Sequence, residues 1–227
     1  MKDYVITIER EFASGGRKIG MMLSKLLDIK CYDGELLKLA AKESGFCEEI
    51  FQNQDEKPTN SFLYSLVMDT YSFSNYGSAA FMDMPLNHKV FLAQFDTIRK
   101  LAASESCIIV GRCADYALSE NPNCVKIFIQ ASDIEKRLHY ATTELGVPEA
   151  KGKDILHKKD KQRATYYNYF SDNKWGDARC YDLCLDSSKI GFDGCAKMIL
   201  QYLVVRGIMT EEELEGILKK TPVEWTL

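Results

Sequence analysis

The sequence predicts an α/β protein in which a parallel sheet carries helices on both faces. Three observations point there. Short β-branched and aromatic runs alternate along the chain with segments of helical period. Several of those runs are apolar throughout, as strands buried on both faces are. The stretch from Tyr4 to Asp28 reads strand, small-residue loop, helix, the repeating unit of such sheets.

Tyr4 to Ile8 is the first strand. Ile19, Met22, Leu23, Leu26 and Leu27 then recur at helical spacing. Ile29 to Asp33 is a short second strand ending on an acid, and Gly34-Glu35 open a helix with Leu36, Leu37, Leu39 and Ala40 as apolar positions. Residues 43–86 differ in kind: rich in Ser, Asn, Tyr, Phe and Met, and broken by Gly and Pro into short helical pieces such as Phe62 to Tyr71. They read as an inserted helical subdomain. Asn87 to Ala103 is a longer helix, and Cys107 to Val110 a central strand ending at Gly111-Arg112.

Val125 to Ile129 is the next strand. The capping box Ser132-x-x-Glu135 then starts a helix carrying Arg137. Lys151 to Phe170 is helical and basic, and Tyr181 to Leu185 is the last strand. Asp186-Ser187-Ser188 leads to a helix near Phe192 to Val205. Gly207 stops it, and Thr210-x-x-Glu213 begins a short terminal helix. The domain organisation is therefore a core of residues 1–42 and 87–206, a helical insertion at 43–86, and a terminal helix and tail at 207–227.

In open parallel sheets ligands bind at the carboxyl ends of the strands. Here those ends bring together Glu9 and the loop after it, Asp33, Gly111-Arg112, Gln130 to Ser132, and Asp186-Ser187. The first loop, Glu9 to Lys18, has the makings of an anion site. Helix-start amides point at it, and Gly15 and Gly16 permit close approach to the backbone. Measured against G-x-x-x-x-G-K-[ST], Glu11 sits at the first glycine and Arg17 at the lysine, while Lys18 and Ile19 leave no hydroxyl for Mg²⁺. A plain glycine-rich turn is the alternative.

Composition narrows the classes. Hydrophobic residues make up 46% and charged residues 27% of 227 positions, ordinary for a globular chain that is large enough for a full α/β core. No apolar run approaches the roughly 20 residues of a membrane helix. No signal pattern precedes the first strand. A net charge of −4 argues against general nucleic-acid binding. The eight cysteines (31, 47, 107, 113, 124, 180, 184, 195) and three histidines (88, 139, 157) lack zinc-ligand spacing. No metal ligands are assigned, and the expectation is a soluble, cytoplasmic protein with reduced thiols.

Three blocks carry a resemblance. Ile6-Thr7-Ile8-x-Arg10-Glu11-Phe12-x-Ser14-Gly15-Gly16-Arg17-x-Ile19-Gly20, then Tyr32-Asp33, then Ile109-Val110-Gly111-Arg112-x-Ala114-Asp115 look like the cytidylate kinase-like family of bacterial P-loop proteins. Arg163-Ala164-x-Tyr166-Tyr167 and Trp175-Gly176-Asp177 also fit, so the likeness runs from residue 4 to about residue 205. It implies a P-loop NTPase fold of the nucleoside monophosphate kinase type, with a substrate-binding insertion and a lid at about 147–180.

The implied activity is transfer of the ATP γ-phosphoryl to a nucleoside monophosphate, nominally CMP or dCMP, with ATP and Mg²⁺ as cofactors. Carried over, Ser14, Gly15, Gly16, Arg17 and Lys18 hold the ATP phosphates and Ser187 lies near the adenine. Asp33 and Arg112 face the monophosphate, and Arg17, Arg137, Lys161 and Arg163 spread positive charge over the transferring group. Nucleotides are the expected partners, with no membrane or nucleic acid, and a homodimer is the candidate assembly. The alternatives are a non-catalytic nucleotide- or anion-binding regulator on the same fold, or a kinase of another small acceptor.

The residues also admit plainer roles. Asp33 suits a helix cap as well as a substrate contact, and Arg112 suits a structural ion pair as well as a phosphate. The basic run of Lys151, Lys153, Lys158, Lys159, Lys161 and Arg163 suits a solvated helix face as well as a lid. Tyr166, Tyr167, Tyr169, Phe170 and Trp175 read as a hydrophobic anchor for that helix, with base stacking as the rival.

Overall fold

A computed structural model of the chain describes residues 4–44 and 85–220. The expected insertion therefore lies outside the described residues apart from its first two and last two positions, as does the tail at 221–227.

Five strands form the sheet: β1 (Val5–Arg10), β2 (Lys30–Tyr32), β3 (Cys107–Val110), β4 (Cys124–Gln130) and β5 (Leu183–Asp186). Their order is β2-β3-β1-β4-β5, and every neighbouring pair is parallel. β1 is central and buried along its whole length, with Val5 opposite both Cys107 and Cys124. That placement brings the loop after β1 to the middle of the carboxyl edge.

The helices are α1 (Gly16–Leu27), α2 (Gly34–Ser44), α3 (Leu86–Ser104), α4 (Ala114–Ala117), α5 (Ile134–Glu144), α6 (Gly152–Phe170), α7 (Ser187–Val205) and α8 (Glu211–Lys220). Strand pleating sends alternate side chains to opposite faces. Ile6, Ile8, Val110, Val125 and Ile127 pack against Ile19 and Leu23 of α1 and Ile199 and Leu203 of α7. Val5, Cys107 and Ile109 pack the other way, against Phe91, Phe95 and Ile98 of α3 and Tyr166, Tyr167 and Phe170 of α6. Both faces are covered, as the apolar runs require.

The aromatic residues of α6 serve as its anchor. Phe170 stacks on Phe91 with centroids 4.2 Å apart and planes 7° apart, and the Tyr169 hydroxyl lies 2.9 Å from His88 Nε2. Trp175 meets Phe128 edge-on and donates Nε1–H to Glu9 Oε2 at 3.4 Å.

Two boundaries differ from the sequence reading. The cap of α5 is Asp133, whose Oδ1 accepts from the amides of Glu135 and Lys136. Ser132 instead donates its amide to Asp186 Oδ1 and ties β4 to β5. The last long helix begins at Ser187, because Asp186 caps it and Gly191 (φ 72°, ψ 171°) breaks it into a turn and a helix. The terminal capping box holds: Thr210 N donates to Glu213 Oε2 at 2.8 Å and Glu213 N donates to Thr210 Oγ1 at 3.2 Å. Gly207 (φ 68°) closes α7 as expected, with Ile208 N reaching Leu203 O at 2.9 Å. Among the described cysteines none forms a disulfide, and burial pushes the thiols of Cys107, Cys124 and Cys195 up to about 12.

Asp115, in α4, is buried, and its Oδ2 accepts the Tyr167 hydroxyl at 2.5 Å. Burial outweighs that bond and the nearby Lys126, and pushes the carboxyl from 3.8 up to about 6. The folded state thus holds this proton more tightly than the unfolded chain. Its contribution to stability is complete below about pH 4 and is lost as pH rises through about 6. The melting temperature of Asp115→Asn should fall less between pH 4 and pH 7 than that of the parent. The difference should correspond to about 2–3 kcal/mol, and parallel pH profiles would contradict it.

Candidate functional site

The loop after β1 is held open by its neighbours. Ala13 (φ 60°) and Gly15 (φ 81°) turn the chain. Ser14 Oγ donates back to Glu11 O at 2.9 Å and across to Ile129 O at 3.0 Å. Ser187 Oγ donates to Ser14 O at 2.7 Å and to Gln130 O at 3.1 Å. Both hydroxyls clasp the loop to β4 from behind, and both serines are buried. Ile19 N donates to Gly15 O at 2.9 Å. That is the first bond of α1, so the amides of Gly16, Arg17 and Lys18 precede the helix ladder and face the loop.

Glycine is required at both loop positions. A Cβ on Gly15 would lie 2.1 Å from Cε1 of Phe192, and one on Gly16 would lie 2.6 Å from Cβ of Arg10. Glu11 raises no obstacle to an anion. Its Oε2 accepts the Ala131 amide at 2.8 Å and lies 3.4 Å from Arg137 Nη1, while burial pushes its pKa up.

In front of the loop lies a cavity of about 520 Å³. Arg10, Arg17, Lys18, Arg112, Lys159 and Arg163 line it, against the acids Glu11, Asp33 and Glu144. Six cationic and three acidic side chains, in a protein of net charge −4, make this the candidate anion site among the described residues. Asp33 sits between two arginines, 2.5 Å from Arg112 Nη1 and 3.1 Å from Arg17 Nε. Arg112 is buried; Arg17 has a side chain 74% exposed. The turn after β3 presents Arg112 through three left-handed residues in a row, Gly111, Arg112 and Cys113 (φ 77°, 59° and 55°). Arg112 Nη1 also donates to Val110 O at 3.0 Å.

Helix α6 is docked on the loop. Asp160 Oδ1 accepts the Phe12 amide at 2.7 Å, and Asp160 Oδ2 takes the Arg137 guanidinium. Arg137 Nε donates to Phe12 O at 2.5 Å. Arg163 Nη1 donates to Arg10 O at 3.2 Å, and its guanidinium lies 5.6 Å from the Phe12 ring centroid.

Of the residues singled out in the sequence, Gly15, Gly16, Arg17, Lys18, Asp33, Arg112 and Arg163 line this one cavity. Ser14, Ser187 and Arg137 stand behind its wall, with their polar atoms bonded to protein. Lys161 is exposed and outside the lining, where Lys159 and Gln162 stand instead. Helix geometry explains the exchange: positions i, i+3 and i+4 share a face, so 159, 162 and 163 go together and 161 points elsewhere. Tyr140, Glu144 and Leu145 at the end of α5 complete the lining and carried no signal in the sequence beyond their helix.

The arrangement suits a polyphosphate, with loop amides on one side and guanidinium groups on the others. It does not suit a magnesium ion held by the protein. Lys18 and Ile19 bring no hydroxyl, Ser14 is turned away, and no group of three or more His, Cys, Asp or Glu among the described residues could hold a metal.

Comparison with known proteins bears on the fold and the family. A solved structure titled as an uncharacterized protein from Eubacterium ventriosum superposes with a TM-score of 0.64 at 30% identity, covering 88% of this chain and 98% of that one. A shikimate kinase from Bacteroides thetaiotaomicron superposes at 0.51 with 11% identity over 88% and 98% of the two chains, a likeness of fold alone. No curated protein is matched. The fold is thus that of P-loop NTPases. A family model described as the cytidylate kinase-like family matches residues 5–189, which span the loop, Asp33, Arg112 and the docked α6, and the chain belongs to that family.

Proposed function

We propose that the protein transfers the γ-phosphoryl of ATP to a small phosphate acceptor, nominally the nucleoside monophosphate CMP or dCMP. The observation that carries this reading is a single cavity in which the loop amides and Arg17 stand beside the Arg112–Asp33 pair. One wall suits a donor polyphosphate and the other an acceptor phosphate. Phosphoryl transfer asks mainly for alignment of two anions and for positive charge around the group in flight.

In this scheme Gly15 to Lys18 hold the donor phosphates, and Arg112 takes the acceptor phosphate when it releases Asp33. Arg163 closes from α6, with Arg137 fixing that helix against Phe12. A helix docked over the loop also keeps water from the reacting phosphate. Residues 1–42 and 87–206 form the core in this reading and about 147–180 the lid, while the substrate-binding insertion expected at 43–86 lies almost wholly outside the described residues.

The test is ADP production from Mg-ATP with CMP, dCMP, UMP and other monophosphates, beside a control lacking acceptor. Turnover dependent on one acceptor supports the proposal and names the substrate. A silent panel, with ATP still raising the melting temperature, replaces it with a nucleotide-binding protein that does no transfer. Arg112→Ala should raise the acceptor KM by about 10- to 100-fold, the worth of a charge-assisted contact, and spare ATP binding. An effect on ATP alone would contradict the division of the cavity.

A further inference from the structure

Counted from Gly16, Lys18 occupies the position whose hydroxyl binds magnesium in loops of the G-x-x-x-x-G-K-[ST] type. The exchange reverses the chemistry, since a metal ligand offers a lone pair and an ammonium offers only protons. Lys18 is not turned out of the way. It lines the cavity from the first turn of α1, with Nζ 5.5 Å from the centroid of the Phe192 ring.

The oxygens nearby have other partners. Ser14 Oγ donates to Glu11 O and Ile129 O, Asp33 sits between Arg112 and Arg17, and Glu11 takes the Ala131 amide and faces Arg137. Among the described residues that leaves Glu144 at the end of α5, and one carboxylate does not make a site for a hard divalent cation.

We infer that the donor polyphosphate is bound without a divalent ion held by the protein, Lys18 supplying from the loop the charge that a bound metal supplies elsewhere. The inference rests on the reading of this loop as the donor site. It names the ligand class as a polyphosphate that needs no metal bridge to the protein, whether or not it carries a metal ion of its own. A fixed ammonium cannot dissociate, so affinity should not follow the concentration of free metal.

Calorimetric titration of the whole protein with ATP, in excess EDTA and again in excess Mg²⁺, tests it. The two dissociation constants should agree within about threefold, a difference under 1 kcal/mol. Lys18→Thr restores a hydroxyl and removes the ammonium. It should bind ATP at least about tenfold more weakly in EDTA and recover in Mg²⁺, with an unchanged melting temperature showing that it is folded. Parent protein that binds ATP only with Mg²⁺ overturns the inference and leaves the donor site standing. So does Lys18→Thr that binds as well as the parent in EDTA. No binding of ATP under either condition removes the donor site, and the inference with it.

Discussion

Arg137→Ala is expected to lower the unfolding free energy by about 3 kcal/mol, the low end for removing one partner of a buried charge pair. The guanidinium meets three groups at once: Phe12 O, the Asp160 carboxylate and Glu11 Oε2. Its side chain is 7% exposed, whereas Asp160 and Glu11 are 18% and 26% exposed, so water can compensate the two acids in part. Urea denaturation reads the loss directly. Arg137→Lys keeps a charge but lacks the planar fork, and should recover less than half of it. The same change loosens α6 on the loop, leaving the Asp160–Phe12 and Arg163–Arg10 bonds, so ATP affinity should fall although Arg137 does not line the cavity. A loss below about 1 kcal/mol would mean that the aromatic anchor against α3 holds α6 without this clasp.

Gly15→Ala should act on the loop itself, and more sharply. An alanine at φ 81° costs about 1–2 kcal/mol on its own. Its Cβ would stand 2.1 Å from Cε1 of Phe192, so the ring must also move. We expect ATP binding to fall more than about tenfold, a figure equivalent to 1.4 kcal/mol, together with a lower melting temperature. The double variant Gly15→Ala/Phe192→Ala separates the two causes. It should be less destabilised than the sum of its singles, because the clash is removed while the backbone strain remains. Strict additivity would show that the ring is not what excludes a side chain there.

These two sites differ in how far the sequence disclosed them. Gly15 is legible as one of two glycines between a strand and a helix, although a plain glycine-rich turn reads the same way. The strands are legible as short runs rich in apolar residues, the second and last interrupted by Lys30 and Asp182. Arg137 belongs to the charge-bearing set of the sequence reading because the family resemblance puts it in the lid region. Its three protein partners lie on segments that only the fold brings together. Ser14 and Ser187 show the same gap: a serine in a phosphate loop reads as a phosphate contact until its hydroxyl is seen donating to β4. Lys159 and Lys161 are two residues apart in one basic run, and choosing between them needs the rotational phase of α6. The structure sets that phase through Leu156, Asp160 and Arg163, which follow at i, i+4 and i+7 and meet Ala13, the Phe12 amide and Arg10 O. At the start of α5, Ser132 and Asp133 are both good caps, and the choice is made by Asp186 claiming the amide of Ser132.

The clasp from Ser187 Oγ to Ser14 O joins residues 173 positions apart. During synthesis the loop near the amino end appears first, yet the groups that shape it come from β4 and from the start of α7. A nascent chain shorter than about 190 residues has the glycines and the cations of the loop but not its final fastening. Contacts of such long sequence separation are late and slow to close. A polypeptide released before Ser187 is made would therefore lack this fastening, and under the proposed function ribosome-bound chains should gain the ability to hold ATP only after Ser187 has emerged.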